Sequence, residues 1–280
     1  MNSSDNSDYV PFVKWVGGKR RVINTYLYKY IPKDFKTYIE PFLGGGAMLS
    51  YLRPKKAIIN DINSELINTY KSIKNDYKAV INNLNFYKEN HSQKLYYKVR
   101  RNIEQDNFKN AARFIYLNKT CFNGMYRVNS NGEFNVPWNN KNKSKLKLYD
   151  LKNIKWWNEY LNKNKITILN KSYLDVLDRA KKDDFVYCDP PYDYELDTKG
   201  FDSYNQDAFG QKNQILLANK LKELDKKKVK WMLSNHNTKL INELYDNFHI
   251  IPITTNRMIN SKANKRKGTG KEVVVINYEI

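Results

Sequence analysis

Short apolar runs ending at a glycine, a proline or an acid alternate with stretches of helical spacing at both ends of the chain. Tyr38-Ile39-Glu40-Pro41-Phe42 predicts a buried strand that runs into the turn Gly44-Gly45-Gly46. Ala47 to Leu52 predicts a helix that stops before Pro54, because the residue ahead of a proline is pushed out of helical geometry. Lys56 to Asp61 then predicts a second strand with an acid at its end, and Ser64 to Ile73 a second helix. Strand patterns return at Ile166 to Leu169, Phe185 to Cys188, Val229 to Ser234 and Glu272 to Tyr278, with a helix over Gln211 to Leu224.

The order strand, glycine turn, helix, strand, acid is that of a nucleotide-binding α/β unit. With the later strands it predicts an open, largely parallel sheet with helices on both faces. Between about residues 75 and 164 the pattern changes. Helical segments such as Leu95–Ile103 and Ala111–Leu117 surround one hairpin-like piece, Tyr126 to Val136, in which Asn131-Gly132 marks a tight turn. A hairpin carrying Arg, Asn and Tyr suits the reading of a nucleic-acid groove. The expected organisation is therefore a core made of residues 1–74 and 165–280 with an insert at 75–164.

The chain has 280 residues, enough for one such core with a sizeable insertion, and 41% of them are hydrophobic. No apolar run is long enough to cross a membrane, and the polar, acidic leader Met1 to Asp8 has no signal-peptide character. Cys121 and Cys188 match no zinc or redox spacing, which suggests buried thiols in a reducing cytoplasm. Three histidines make a histidine-based metal site or a Ser-His-Asp triad unexpected, so no metal is expected. The net charge of +20 favours a polyanionic partner through counterion release, but the abundance of Asn and Ile indicates AT-biased coding that raises lysine by itself.

The motifs decide between these. Glycines at Gly44 and Gly46 let a ligand approach the backbone, and Asp61, at the end of the next strand, is placed to accept ribose hydroxyls. The plainer alternatives are a purely conformational turn and an N-cap at Asp61 for the following helix. Asp189-Pro190-Pro191-Tyr192, at the end of an apolar strand, is the most informative motif. Two prolines remove two backbone donors, so the carbonyls there face outward as rigid acceptors. The Asp189 carboxylate and the Pro190 carbonyl can bind both hydrogens of an exocyclic amine, favouring a more tetrahedral nitrogen whose lone pair attacks a sulfonium methyl in line. Tyr192 would stack on a base that has left its helix. A simple Pro-Pro turn with a surface tyrosine is the competing reading.

Taken in order, the motifs resemble the Dam-like family of DNA adenine-N6 methyltransferases, from about Phe12 to Tyr278. The matching stretches are Lys14-Trp15-Val16-Gly17-Gly18-Lys19, Glu40 to Gly46, Asn60-Asp61-Ile62-Asn63, Asn123-Gly124, Gly132 to Pro137, Val186 to Tyr192 and Ser234-Asn235-His236. The resemblance implies a Rossmann-like S-adenosylmethionine-dependent methyltransferase core with a helical and β-hairpin target-recognition insert. It implies catalysis by Asp189, Pro190, Pro191 and Tyr192. It implies cofactor contacts at Trp15, Lys19, Glu40, Phe42, Gly44, Gly46, Asp61 and Asp189. It also implies contact with double-stranded DNA by Lys14, Phe122, Asn123, Met125, Arg127, Asn135 and Pro137, with Arg127 reading a guanine and the whole site being GATC.

Phe122 stands where relatives often carry tyrosine, and Trp138-Asn139-Asn140-Lys141 replaces a Gly-Arg-Tyr run after Pro137, which bears on the outer bases of that site. The implied setting is a bacterial cytoplasm, in a bacterial or phage-encoded enzyme, with a restriction endonuclease for the same site as a candidate partner. The rival readings are an N4-cytosine methyltransferase and a catalytically silent DNA-binding scaffold. Arg257 to Lys271, with six basic residues and no acid, reads as a DNA-ordered segment, and Asp193 to Phe209 as a cover over the flipped base. His236 reads as structural.

Overall fold

The computed structural model describes residues 9–194, 209–255 and 270–280. The expected basic segment within 257–271 and most of the expected cover within 193–209 lie outside the described residues. The strands are β1 (Tyr38–Glu40), β2 (Lys56–Asn60), β3 (Lys165–Leu169), β4 (Phe185–Cys188), β5 (Lys230–His236), β6 (His249–Thr255) and β7 (Gly270–Ile276). They form a seven-stranded sheet in the order β3-β2-β1-β4-β5-β7-β6. The helices are α1 (Arg20–Thr25), α2 (Ala47–Leu52), α3 (Ser64–Glu89), α4 (Gln93–Arg101), α5 (Asn107–Thr120), α6 (Leu151–Lys163), α7 (Tyr173–Leu177), α8 (Gln211–Lys226) and α9 (Lys239–Leu244). The expected α/β architecture is present. No helix among the described residues is long and apolar enough to cross a membrane.

Two compact units are distinguished. The first comprises Met1–Arg20 and Leu43–Lys171. It holds the parallel pair β2–β3 and is organised by α3, which packs on α5 and α6. Leu66, Ile67, Tyr70 and Ile73 are buried at helical spacing, and so are Val80, Ile81, Leu84 and Tyr87 beyond a break at Asp76. The sequence pattern ends this helix at Ile73. In the structure Asp76 leaves helical geometry, and its carboxylate accepts the Lys78 and Ala79 amides at 2.9 and 3.1 Å, which restarts the helix.

The hairpin also differs in detail. One bridge, Val128 with Phe134, replaces extended strands. The Gly132 amide donates to the Asn129 carbonyl, and Gly132 alone in that turn adopts a positive φ, +77°. This is a three-residue loop ending in a bulge glycine, not a two-residue turn with Asn131 left-handed as well. The Asn129 side chain accounts for it, because its Oδ1 accepts the Asn131 and Glu133 amides and sets the turn two residues early.

The second unit comprises Arg21–Phe42 and Ser172–Ile280. Here β1, β4 and β5 run parallel, with Tyr38 opposite Phe185 and Phe185 opposite Lys230. β7 pairs antiparallel with β5 on one side and β6 on the other. All four residues of β4 are buried, as a central parallel strand requires. The sequence pattern does not predict β6, because Pro252 interrupts it; at a sheet edge the missing amide costs no ladder bond.

Candidate active site

In the second unit, β1 and β4 leave the sheet side by side and in the same direction. The strand order reverses between them, and the crevice at the carboxyl ends of such strands is where open α/β sheets bind ligands. Glu40 ends β1 and is buried; Pro41 and Phe42 follow it. The Phe42 ring packs against Tyr173 and Phe209, at centroid distances of 5.3 and 5.5 Å. Asp189 follows the last residue of β4 and is partly exposed; Pro190 is buried and Pro191 exposed. Burial first, and then the Asp189 and Glu40 carboxylates, raise the Cys188 thiol far above its usual range, so this cysteine stays neutral.

The Asp189–Tyr192 segment is held from below by side chains that the sequence pattern did not single out. Gln214 of α8 donates to the Pro191 carbonyl at 2.9 Å. Asn235 of β5 accepts the Asp193 amide at 2.9 Å and donates to Gln214 at 3.0 Å. Both amides are buried, with Gln214 1% and Asn235 0% exposed, so their bonding capacity goes to the loop instead of water. The His236 Nδ1 lies 2.7 Å from the Asp193 carbonyl, and its ring stands edge-on to Tyr192 and Tyr194 at 4.8 Å each. Its structural reading fits these contacts, since the ring steadies Tyr192. A signal for Asn235 existed in Ser234-Asn235-His236, but nothing local marks Gln214.

In the first unit, the Asp61 carboxylate accepts the Gly44 amide at 2.9 Å through one oxygen and the Asn63 amide at 2.9 Å through the other. It is not the N-cap: Asn63 caps α3 by accepting the Leu66 amide. Desolvation raises the Asp61 pKa, and the amides of Asn63, Gly44 and Ile62 oppose it. Gly44 has φ +50°, and a Cβ there would meet Trp15 Cδ1 at 2.6 Å, so the Trp15 indole lies directly on the turn. A Cβ on Gly46 would likewise meet the Tyr70 hydroxyl at 2.6 Å. Lys19 is 6% exposed, with its ammonium donating to the Gly17 carbonyl at 2.8 Å.

The residues expected at DNA gather on the same unit. The Asn118 side chain accepts the Lys14 amide and donates to the Lys14 carbonyl, both at 2.8 Å. A Cβ on Gly124 would run into the Lys14 stem, which fixes that approach. The Phe122 amide donates to the Pro137 carbonyl at 2.8 Å, leaving the Phe122 ring 51% exposed. Asn123 is exposed with φ +54°, and Met125 is partly buried. Arg127 is exposed, and its Nε donates to Asn135 Oδ1 at 2.7 Å. Lys119 was not anticipated here. Burial, followed by the charges of Lys14 and Lys141, lowers its pKa to about 8. Such a cationic corner without an acidic partner among the described residues favours an incoming phosphate.

The family model for D12 class N6 adenine-specific DNA methyltransferases matches residues 15–259. The chain belongs to that family. It is similar to the type II methyltransferase M.MjaIII of Methanocaldococcus jannaschii, at 40% identity over 96% of this chain and 99% of that one. It is also similar to the type II methyltransferase M1.LlaDCHI of Lactococcus lactis subsp. cremoris, at 38% identity over 96% of this chain and 95% of that one. The DNA adenine methylase of Escherichia coli K12 is 32% identical over 91% of each chain. The D12 chain described here is thus an adenine-specific DNA methyltransferase, and DNA is its substrate. No cluster of metal-ligating side chains occurs among its described residues.

Proposed function

We propose that this D12 enzyme methylates N6 of an adenine rotated out of duplex DNA, within the sequence GATC, using S-adenosylmethionine. The observation that carries the chemistry is Asp189-Pro190-Pro191-Tyr192 at the carboxyl end of β4, pinned by Gln214 and Asn235. The Asp189 carboxylate and the Pro190 carbonyl accept the two amine hydrogens and so localise the lone pair on N6. Tyr192, steadied by His236, stacks on the extruded base.

The residues present fit the cofactor. Asp61 is buried and oriented by two amides, as an acceptor of ribose hydroxyls must be, and the bare Gly44 lets the Trp15 indole lie on the same turn. Trp15, Lys19, Glu40, Phe42 and Asp189 complete the assigned contacts. Bound there, S-adenosylmethionine supplies an electrophilic methyl on a sulfonium sulfur. Residues 1–74 and 165–280 act as the catalytic core and 75–164 as the recognition insert. In that insert Asn135 holds Arg127 by its Nε, leaving both Nη groups for a guanine's O6 and N7. Lys14, Phe122, Asn123, Met125 and Pro137 meet the backbone and the gap left by the flipped base. M.MjaIII and M1.LlaDCHI carry type II names, and a restriction endonuclease for the same site is the partner we infer.

The test is transfer of labelled methyl to duplex DNA, with nucleoside analysis, site mapping and 2-aminopurine fluorescence at the target. N6-methyladenine confined to GATC with a fluorescence rise is the expected result. Methylation at another sequence overturns the specificity, and an unchanged 2-aminopurine signal overturns the extrusion.

A further inference from the structure

Tyr126 is the first residue of the hairpin and precedes Arg127, yet the proposed reaction assigns it nothing. Its ring stacks on Trp15 at 5.8 Å and 22°, and lies 5.5 Å from Phe114 of α5. Its hydroxyl donates to Glu65 Oε2 at 3.0 Å. Glu65 Oε1 in turn takes Arg113 Nη1; Arg113 is 2% exposed and also donates from Nε to the Val99 carbonyl and from Nη2 to the Arg100 carbonyl. The carboxylate is thus locked, and the hydroxyl has a fixed address.

Both ends of this arrangement reach the assigned cofactor residues. Trp15 lies on Gly44, with no room for a Cβ between them. Asn63 and Glu65 belong to the segment that begins at Asp61, whose carboxylate holds the Gly44 and Asn63 amides. Anything that shifts Trp15 or the start of α3 shifts the tyrosine, and the next residue along is Arg127. A packed aromatic ring with a charge-assisted hydrogen bond has few intermediate positions, so such a shift is transmitted instead of absorbed.

We propose that Tyr126 is a positioning residue that couples cofactor binding to the reading of DNA: a ligand on Trp15, Gly44 and Asp61 and a duplex on Arg127 stabilise the same placement of this side chain. The inference rests on the functional reading above. It requires the two ligands to strengthen each other's binding by the same factor, because linkage is reciprocal.

The test uses the full chain, S-adenosylhomocysteine as the cofactor probe, and a duplex carrying the mapped methylation site. Calorimetric dissociation constants for the cofactor product, with and without duplex, give the coupling ratio, and duplex titrations with and without product must return the same ratio. For the wild type the expected ratio is roughly fivefold or more, within the range of allosteric couplings. Tyr126→Leu should bring it close to one while each ligand still binds alone, and Tyr126→Phe, which keeps the stack and folds if the leucine variant does not, should give an intermediate value. A wild-type ratio of one, a Tyr126→Phe ratio equal to wild type together with an unchanged Tyr126→Leu ratio, or an equal loss of product affinity with and without DNA overturns the coupling. Failure of the wild type to bind the product at all overturns the cofactor assignment instead.

Discussion

Replacing Gly44 by alanine separates backbone strain from close approach at the assigned cofactor turn. Gly132 is the natural control: both glycines have positive φ, +50° and +77°, but a Cβ at Gly132 meets nothing within 4 Å. A left-handed alanine costs about 1–2 kcal/mol at either position. At Gly44 the added Cβ also lies 2.6 Å from Trp15 Cδ1 and 2.9 Å from Nε1, so the indole must move and weaken its stack on Tyr126. An aromatic pair contributes about 0.5–1.5 kcal/mol beyond its buried area, which puts Gly44→Ala about 1 kcal/mol or more above Gly132→Ala. Urea midpoints at constant slope measure both variants. Titration with S-adenosylhomocysteine should show about a tenfold or greater loss of affinity for Gly44→Ala and none for Gly132→Ala. In a Trp15→Ala background the extra cost of Gly44→Ala should vanish, which a double-mutant cycle reads directly. Equal destabilisation by the two alanines with unchanged product affinity would refute the reasoning, since Trp15 would then not depend on a bare Gly44.

Asp189→Ala should abolish methyl transfer while duplex affinity stays close to wild type; residual turnover near the wild-type rate would sink the amine-positioning role. Arg127→Ala should lose about 1–3 kcal/mol of discrimination at one base pair, measured as kcat/KM ratios on single-substitution duplexes. Equal weakening on every sequence would instead mark a phosphate contact. His91 is buried between the Tyr116 hydroxyl at 2.8 Å and the Lys141 carbonyl at 3.1 Å, and burial lowers its pKa from 6.5. Its neutral form belongs to the fold, so its contribution is complete above pH 6.5 and is lost as pH falls from there through the lowered native value. The urea midpoint of the wild type should therefore fall more steeply than that of His91→Gln between pH 8 and 5; parallel profiles would contradict it.

The α/β class, six of the seven strands and the two motif-bearing strand ends follow from the sequence alone. These elements rest on local signals: apolar runs long enough to be buried, a glycine turn where φ must be positive, and two prolines that end a strand. The roles proposed for Asp189 to Tyr192, Gly44 and Asp61 rest on the same kind of signal, since each is argued from adjacent residues. Tertiary structure decided the rest. Asp61 binds the Gly44 amide seventeen positions back in the chain instead of capping α3, and Asn63 takes the cap. Asp76 restarts a helix where its local preference signals an end, because the apolar face of α3 continues beyond it. β6 forms around Pro252 because it lies at the sheet edge. Gln214, Asn118 and the Glu65–Arg113–Tyr126 group had no local mark, since a polar side chain in a helix or strand looks the same whether it faces water or a buried carbonyl. Only packing removes the water, and only then must each such group find its partner across the fold.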